Sequence, residues 1–175
     1  MSGRLVGGFL VLIALIAGAA VYYLQVYAFY EDASAVSGGD VMLTKIVSGD
    51  PEPILAEGLT AIDADSSPIR YRGCFQTSQS LALLTETYVL YEETPDPRVA
   101  PGWFDCFDAD DIAAQIDSGE MLVFLGQANI QYGIDRVIGI SATGQGRIWH
   151  EINACGSAHF DGDPLPDDCP TPPAE

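Results

Sequence analysis

Residues 5–24 are twenty consecutive positions without a charge or a strongly polar group, and no other stretch limits the chain so sharply. At 1.5 Å per residue a helix of that length covers about 30 Å, the thickness of a bilayer's hydrocarbon core. Tyr22, Tyr23, Tyr27, Phe29 and Tyr30 gather at its end. Amphipathic rings prefer the headgroup layer, so Tyr22, Tyr23, Tyr27 and Tyr30 are expected at a membrane interface. Arg4 precedes the run, and no Lys or Arg recurs before Lys45. By the positive-inside rule the N-terminus is then cytoplasmic and everything beyond about residue 31 lies outside. The competing expectation is a cleaved secretory signal, since Ala17-Gly18-Ala19 and Ala33-Ser34-Ala35 both have small-x-small spacing. The apolar run continues past Ala19 to Leu24, and the second triplet lies beyond Glu31 and Asp32, which favours an uncleaved anchor. Ala14 with Gly18, and Gly3 with Gly7, have the small-xxx-small spacing of helix pairs, which also arises by chance in apolar segments.

The 175 residues suffice for one domain plus a short appendage. Acidic residues number 25 and basic residues 7, a net charge of -18. That balance excludes a nucleic-acid binder, which needs cations to displace counterions. It also argues against docking to anionic lipid through a basic patch. With 48% hydrophobic and 10% aromatic residues, the chain is too apolar for a disordered acidic tail, and a packed core is expected. Its acids are spread out, with no block of five like charges, as on a solvated surface.

All four cysteines, Cys74, Cys106, Cys155 and Cys169, lie beyond the apolar run. In an oxidising compartment an even count reads as disulfides. Three pairings are open. Cys74–Cys106 with Cys155–Cys169 is favoured, because the second bond closes a short loop that pins the Pro-rich tail. There is no Cys-x-x-Cys, which argues against a thioredoxin-like centre or a zinc ribbon.

Along the chain, Ser37-Gly38-Gly39 marks a tether, and residues 41–47 a short strand that Pro51 and Pro53 stop. Residues 69–77 alternate as a strand does, whereas 81–91 are ambiguous between helix and strand. Three prolines make 92–102 a loop. Residues 108–118 read as a helix, capped by Asp108, with Asp110 and Asp111 at the positive end of its dipole and Gly119 as its stop. Residues 121–126 form a short strand. Residues 134–142 and 147–153 flank Thr143-Gly144-Gln145-Gly146 as a hairpin. The expected fold is α+β: a single N-terminal transmembrane helix followed by a small disulfide-containing domain with an antiparallel sheet. Its parts are a cytoplasmic stub (1–4), the transmembrane helix (5–27), a tether (28–40), the α+β domain (41–160) and a Pro/Asp-rich tail (161–175).

No catalytic constellation emerges. There is no Gly-x-Ser-x-Gly elbow, P-loop or dinucleotide fingerprint, so no enzyme activity and no cofactor are expected. His150 and His159 are weak metal-ligand candidates around Cys155, but a disulfide would remove the thiolate. Asp161, Asp163, Asp167 and Asp168 fail the EF-hand pattern, which places Pro166 where Gly and Pro172 where Glu are needed. Trp103, Phe104 and Phe107 form an apolar knot, read first as core beside a disulfide and second as a partner-binding patch.

The N-terminal run, the segments IRYRGCF and PGWFDCFDADDIAAQI, and GIDRVIGISATGQGRIWHEINACG together resemble an uncharacterised alphaproteobacterial family of N-terminally anchored envelope proteins carrying a domain of unknown function. The resemblance implies a bacterial inner membrane with the domain in the periplasm, and it implies no activity. The expected role is an accessory or interaction protein of a membrane complex, with an unknown protein partner. A periplasmic ligand- or metal-binding or sensing protein is the alternative.

Overall fold

In a computed structural model, residues 3–34 and 41–173 are described. Helix α1 (Gly3–Tyr23) has no buried residue and passes into one π-helical turn, Leu24–Ala28. The span from Gly3 to Ala28 has a mean hydropathy of 2.5 over its apolar window, no residue of which is buried. A helix that is apolar all round and unpacked suits lipid rather than water. A signal sequence has the same length and composition.

Beyond the helix, β1 (Glu31–Asp32) is the edge of a six-stranded sheet. The others are β4 (Glu57–Asp63), β5 (Arg72–Gln76), β6 (Met121–Gln131), β7 (Ile134–Ser141) and β8 (Gln145–Ile152), in spatial order β1-β4-β5-β8-β7-β6. Every neighbouring pair is antiparallel. The Ser37-Gly38-Gly39 part of the tether lies outside the described residues; Glu31 and Asp32 pair with Asp63 and Ile62.

Strands β2 (Met42–Thr44) and β3 (Pro51–Pro53) form a separate hairpin. Pro51 and Pro53 therefore do more than stop a strand. They build one, opposite Thr44 and Met42, and β3 tolerates them because it is an edge that need not donate on its outer side. The ambiguous residues 81–91 resolve into both readings. Ser80 caps α2 (Leu81–Thr87) by accepting from the Leu83 amide. Tyr88 and Leu90 then run extended and bridge to Lys45 and Phe124. Helix α3 (Ala109–Ser118) has the expected ends: Asp108 accepts from the amides of Asp110 and Asp111, and Gly119 adopts φ 75°. The sequence reading did not assign β4 or α4 (Ala154–Asp161), and ended β6 five residues early.

The sheet is buried on both faces. Ile138, Ile140, Ile148, Phe75 and Phe124 face one core under the β2–β3 hairpin and Leu84 of α2. Val137, Trp149, Val123 and Cys74 face a second, closed by Ile112 of α3 and by Phe107. With both faces covered, β7 and β8 are buried at most positions, polar residues included. Disulfides join Cys74 to Cys106 and Cys155 to Cys169. The first ties the Pro-rich loop to β5; the second holds the tail on α4. Gly133, at φ 76° in the β6–β7 turn, lies against Gly156 of α4 so closely that a Cβ on either would strike the other's backbone.

Candidate functional site

Two polar regions stand out, one on each side of the sheet near the end where α1 arrives. The first is the junction between helix and domain. The closing carbonyls of a helix lack intrahelical donors, and the Trp103 indole N–H donates to that of Val26 at 2.7 Å. Tyr27 stacks on Trp103 with ring centres 6.2 Å apart, and Tyr30 meets it edge-on at 6.1 Å. Tyr23 and Tyr22 continue the ring series against Tyr27. All four tyrosines expected at an interface thus form one aromatic collar, with Trp103 as its foot on the domain.

The expected partner patch is divided by this arrangement. Phe107 is 4% exposed, edge-on to Trp149 in the second core. Phe104 is half-buried beside it. Trp103 is 38% exposed, and what covers it is the chain's own helix stem. The knot is therefore partly core and partly an internal joint. Its physical cause is the Cys74–Cys106 bond, which draws Phe107 down onto the sheet.

The second region is a ladder of one residue each from β7 and β8 and the residue that precedes β5. Tyr71, His150 and Arg136 lie side by side, with the Tyr71 and His150 rings stacked at 5.0 Å and the Arg136 guanidinium 4.5 Å from the Tyr71 ring centre. Arg136 Nε donates to His150 Nε2 at 3.1 Å. A guanidinium is always a donor, so His150 carries its proton on Nδ1 and donates it to the Pro68 carbonyl at 2.6 Å. Burial, with Arg136 and Arg72 nearby, lowers the His150 pKa to about 4. A small cleft of about 170 Å³ opens beside it, with Asp63, Asp65 and Gln131 on its walls. Burial raises the Asp63 pKa.

His150 has both ring nitrogens engaged, which leaves no lone pair free for a metal. His159, on α4, meets the Tyr132 ring edge-on and neighbours Phe160, away from that ladder. Among the described residues, no three His, Cys, Asp or Glu side chains group as metal ligands do. Sequence reasoning missed Arg72 and Glu151. Arg72 is 3% exposed, and its guanidinium donates to the carbonyls of Arg98, Ile69 and Tyr71. Glu151 accepts from the Trp149 indole and the Asp96 amide. Together they fix the Pro-rich loop on the sheet. A strand that alternates beneath a loop was the available signal.

No curated protein and no solved structure matches the chain. Residues 41–170, which hold β2 to β8, α2 to α4 and both disulfides, match the family model described as a family of unknown function (DUF6446). That span is well over half of the chain, and the protein belongs to this family of unknown function, DUF6446.

Proposed function

We propose that this protein is a non-catalytic accessory or interaction protein of a membrane complex, held in a bacterial inner membrane by α1 with its acidic domain in the periplasm. The observation that carries the reading is the Trp103 joint. The turn that ends α1 is built into the domain through Val26, Tyr27 and Tyr30, so the helix works as a stem of defined orientation rather than as a detachable leader. Cleavage after Ala35 would remove β1 and the whole joint. Cleavage after Ala19 would leave Val21, Tyr22, Tyr23 and Leu24 exposed to water. The two disulfides suit an oxidising compartment.

The test is a pull-down of the full chain, tagged at its C-terminus, from membranes in mild detergent. A reproducible stoichiometric partner and an intact N-terminus are the expected results. A lone monomer with no partner would sink the accessory role, and an N-terminus beginning after Ala19 or Ala35 would sink the anchor. The ligand-binding alternative draws on the cleft beside His150, with Asp63 and Asp65 on its walls. The engaged state of both His150 nitrogens weighs against it.

A further inference from the structure

Net charge is an average, and the seven basic residues are not spread as the acids are. Arg70, Arg72 and Arg98 line one cleft of about 480 Å³, together with Ser67 of the domain and with Gln25 and Tyr30 of the stem. No acidic residue lines it, in a chain with 25 acids. We propose that this cleft binds the phosphate of an anionic phospholipid headgroup at the membrane surface from which α1 emerges. The inference rests on the reading of α1 as an anchor.

Three observations support it. First, Arg70 and Arg98 are largely uncommitted, and Arg72 is bonded to carbonyls alone. Arg70 and Arg72 form no ion pair among the described residues, and Arg98 has only a loose contact, 3.6 Å, to Asp96, which is itself 70% exposed. Arg70 rests over the Tyr30 ring at 5.7 Å, so its alkyl stem is held while its donors stay available. Second, guanidinium groups converge there. Arg72 is buried and already donates to three carbonyls, which fixes its place on the cleft wall beside Arg98 and Arg70. Guanidinium groups match phosphate oxygens in pairs. Third, position selects the source of the phosphate. Gln25 and Val26 belong to the last turn of the apolar helix and also line the cleft, so its mouth lies at headgroup depth. Val99 beside it is 80% exposed, an apolar side chain that suits the acyl boundary.

The test uses the full chain purified in a neutral detergent. Short-chain phosphatidylglycerol, short-chain phosphatidylcholine and inorganic phosphate are each titrated in, with tryptophan fluorescence as the readout. Phosphatidylglycerol is expected to bind at least ten-fold more tightly than phosphatidylcholine. The Arg70→Gln/Arg98→Gln variant, which spares buried Arg72, is expected to lose roughly ten- to thirty-fold in affinity for phosphatidylglycerol, with an unchanged melting temperature before lipid is added. Equal affinity for the two lipids, or an unchanged affinity in the double variant, overturns the proposal. Inorganic phosphate binding as tightly as the lipid overturns it in favour of a free-phosphate site. N-terminal sequencing of the same preparation separates the two failures: a processed N-terminus defeats the anchor, whereas an intact one with no lipid preference defeats only this cleft.

Discussion

On β5 and β8, neighbouring residues send their side chains to opposite faces of the sheet, and the two faces treat charge in opposite ways. Tyr71 and His150 point to one face, where Arg136 completes a ladder in which the imidazole's nitrogens are both used. Arg72 and Glu151 point to the other. There Arg72 is bonded by carbonyls alone, with Arg98 beside it and Arg70 on the same cleft. The first face is tied up by hydrogen bonds and ring contacts of its own chain; on the second, Asp96 meets Arg98 only loosely, and Glu151 and Asp63 act on Arg72 without a direct ion pair. Counting charged residues does not distinguish these two situations. Contacts do: Arg136 and Arg72 each donate to groups of the fold, whereas Arg70 and Arg98 have only a ring contact and a loose ion pair.

Arg72→Met cuts deepest into that contrast, because Arg72 sits on the second face yet serves the fold. The substitution leaves the carbonyls of Arg98, Ile69 and Tyr71 without their charged donor, and should cost about 3 kcal/mol. Chemical denaturation with disulfides intact measures it. A loss below about 1 kcal/mol would mean that the Pro-rich loop is held by Glu151 and the Cys74–Cys106 bond without Arg72.

The first face makes a pH prediction of similar size. The unfolded chain protonates His150 near pH 6.5, whereas the folded protein resists protonation until about pH 4. Between those values the unfolded state binds more protons, so this residue's contribution to stability falls as pH falls, by about 3 kcal/mol over the interval. Asp63 and Glu151, whose pKa values burial raises, act in the opposite sense and flatten the overall profile. His150→Gln isolates the histidine. The variant should be less stable than the native protein at pH 7, and the gap should shrink by about 3 kcal/mol on going to pH 4. A gap independent of pH would show that the ladder does not hold the imidazole neutral.

What could be read in the sequence follows the same division. The helix at 108–118 announced itself because its cap, its acids and its closing Gly are all local. The apolar run and the hairpin around Gly144 were legible for the same reason: length in one case and turn chemistry in the other. Strand β4 was not, since Glu57-Gly-Leu-Thr-Ala-Ile-Asp begins with an exposed half and a bulge before Thr60. Helix α4 was hidden by its glycine, which is retained for contact with Gly133 rather than for helix propensity. The candidate site was the least legible. Arg70, Arg72 and Arg98 are separated by up to 28 positions, and only the return of the Pro-rich loop over β5 puts them with the end of α1.

The joint between stem and domain should respond more mildly than either face. Trp103→Phe keeps a ring against Tyr27 and Tyr30 but cannot donate to Val26, so the full chain in detergent should lose about 1 kcal/mol. A loss several times larger would mean that the domain needs α1 in order to fold. An unchanged melting temperature would mean that the stem pivots freely on the domain.

The smallest expected effect is the most informative. Arg70 and Arg98 contact an aromatic ring and a loose, exposed carboxylate, and exposed interactions of that kind contribute between 0 and about 1 kcal/mol. If the two arginines belonged to the fold as Arg72 and Arg136 do, Arg70→Gln and Arg98→Gln would each destabilise the protein measurably. If they are held for a ligand, each variant should unfold within about 0.5 kcal/mol of the native chain. A destabilisation of 2 kcal/mol or more in either variant would erase the distinction between the two faces. Near-neutral stability would leave these cations with no role in the fold to explain their place among so many acids.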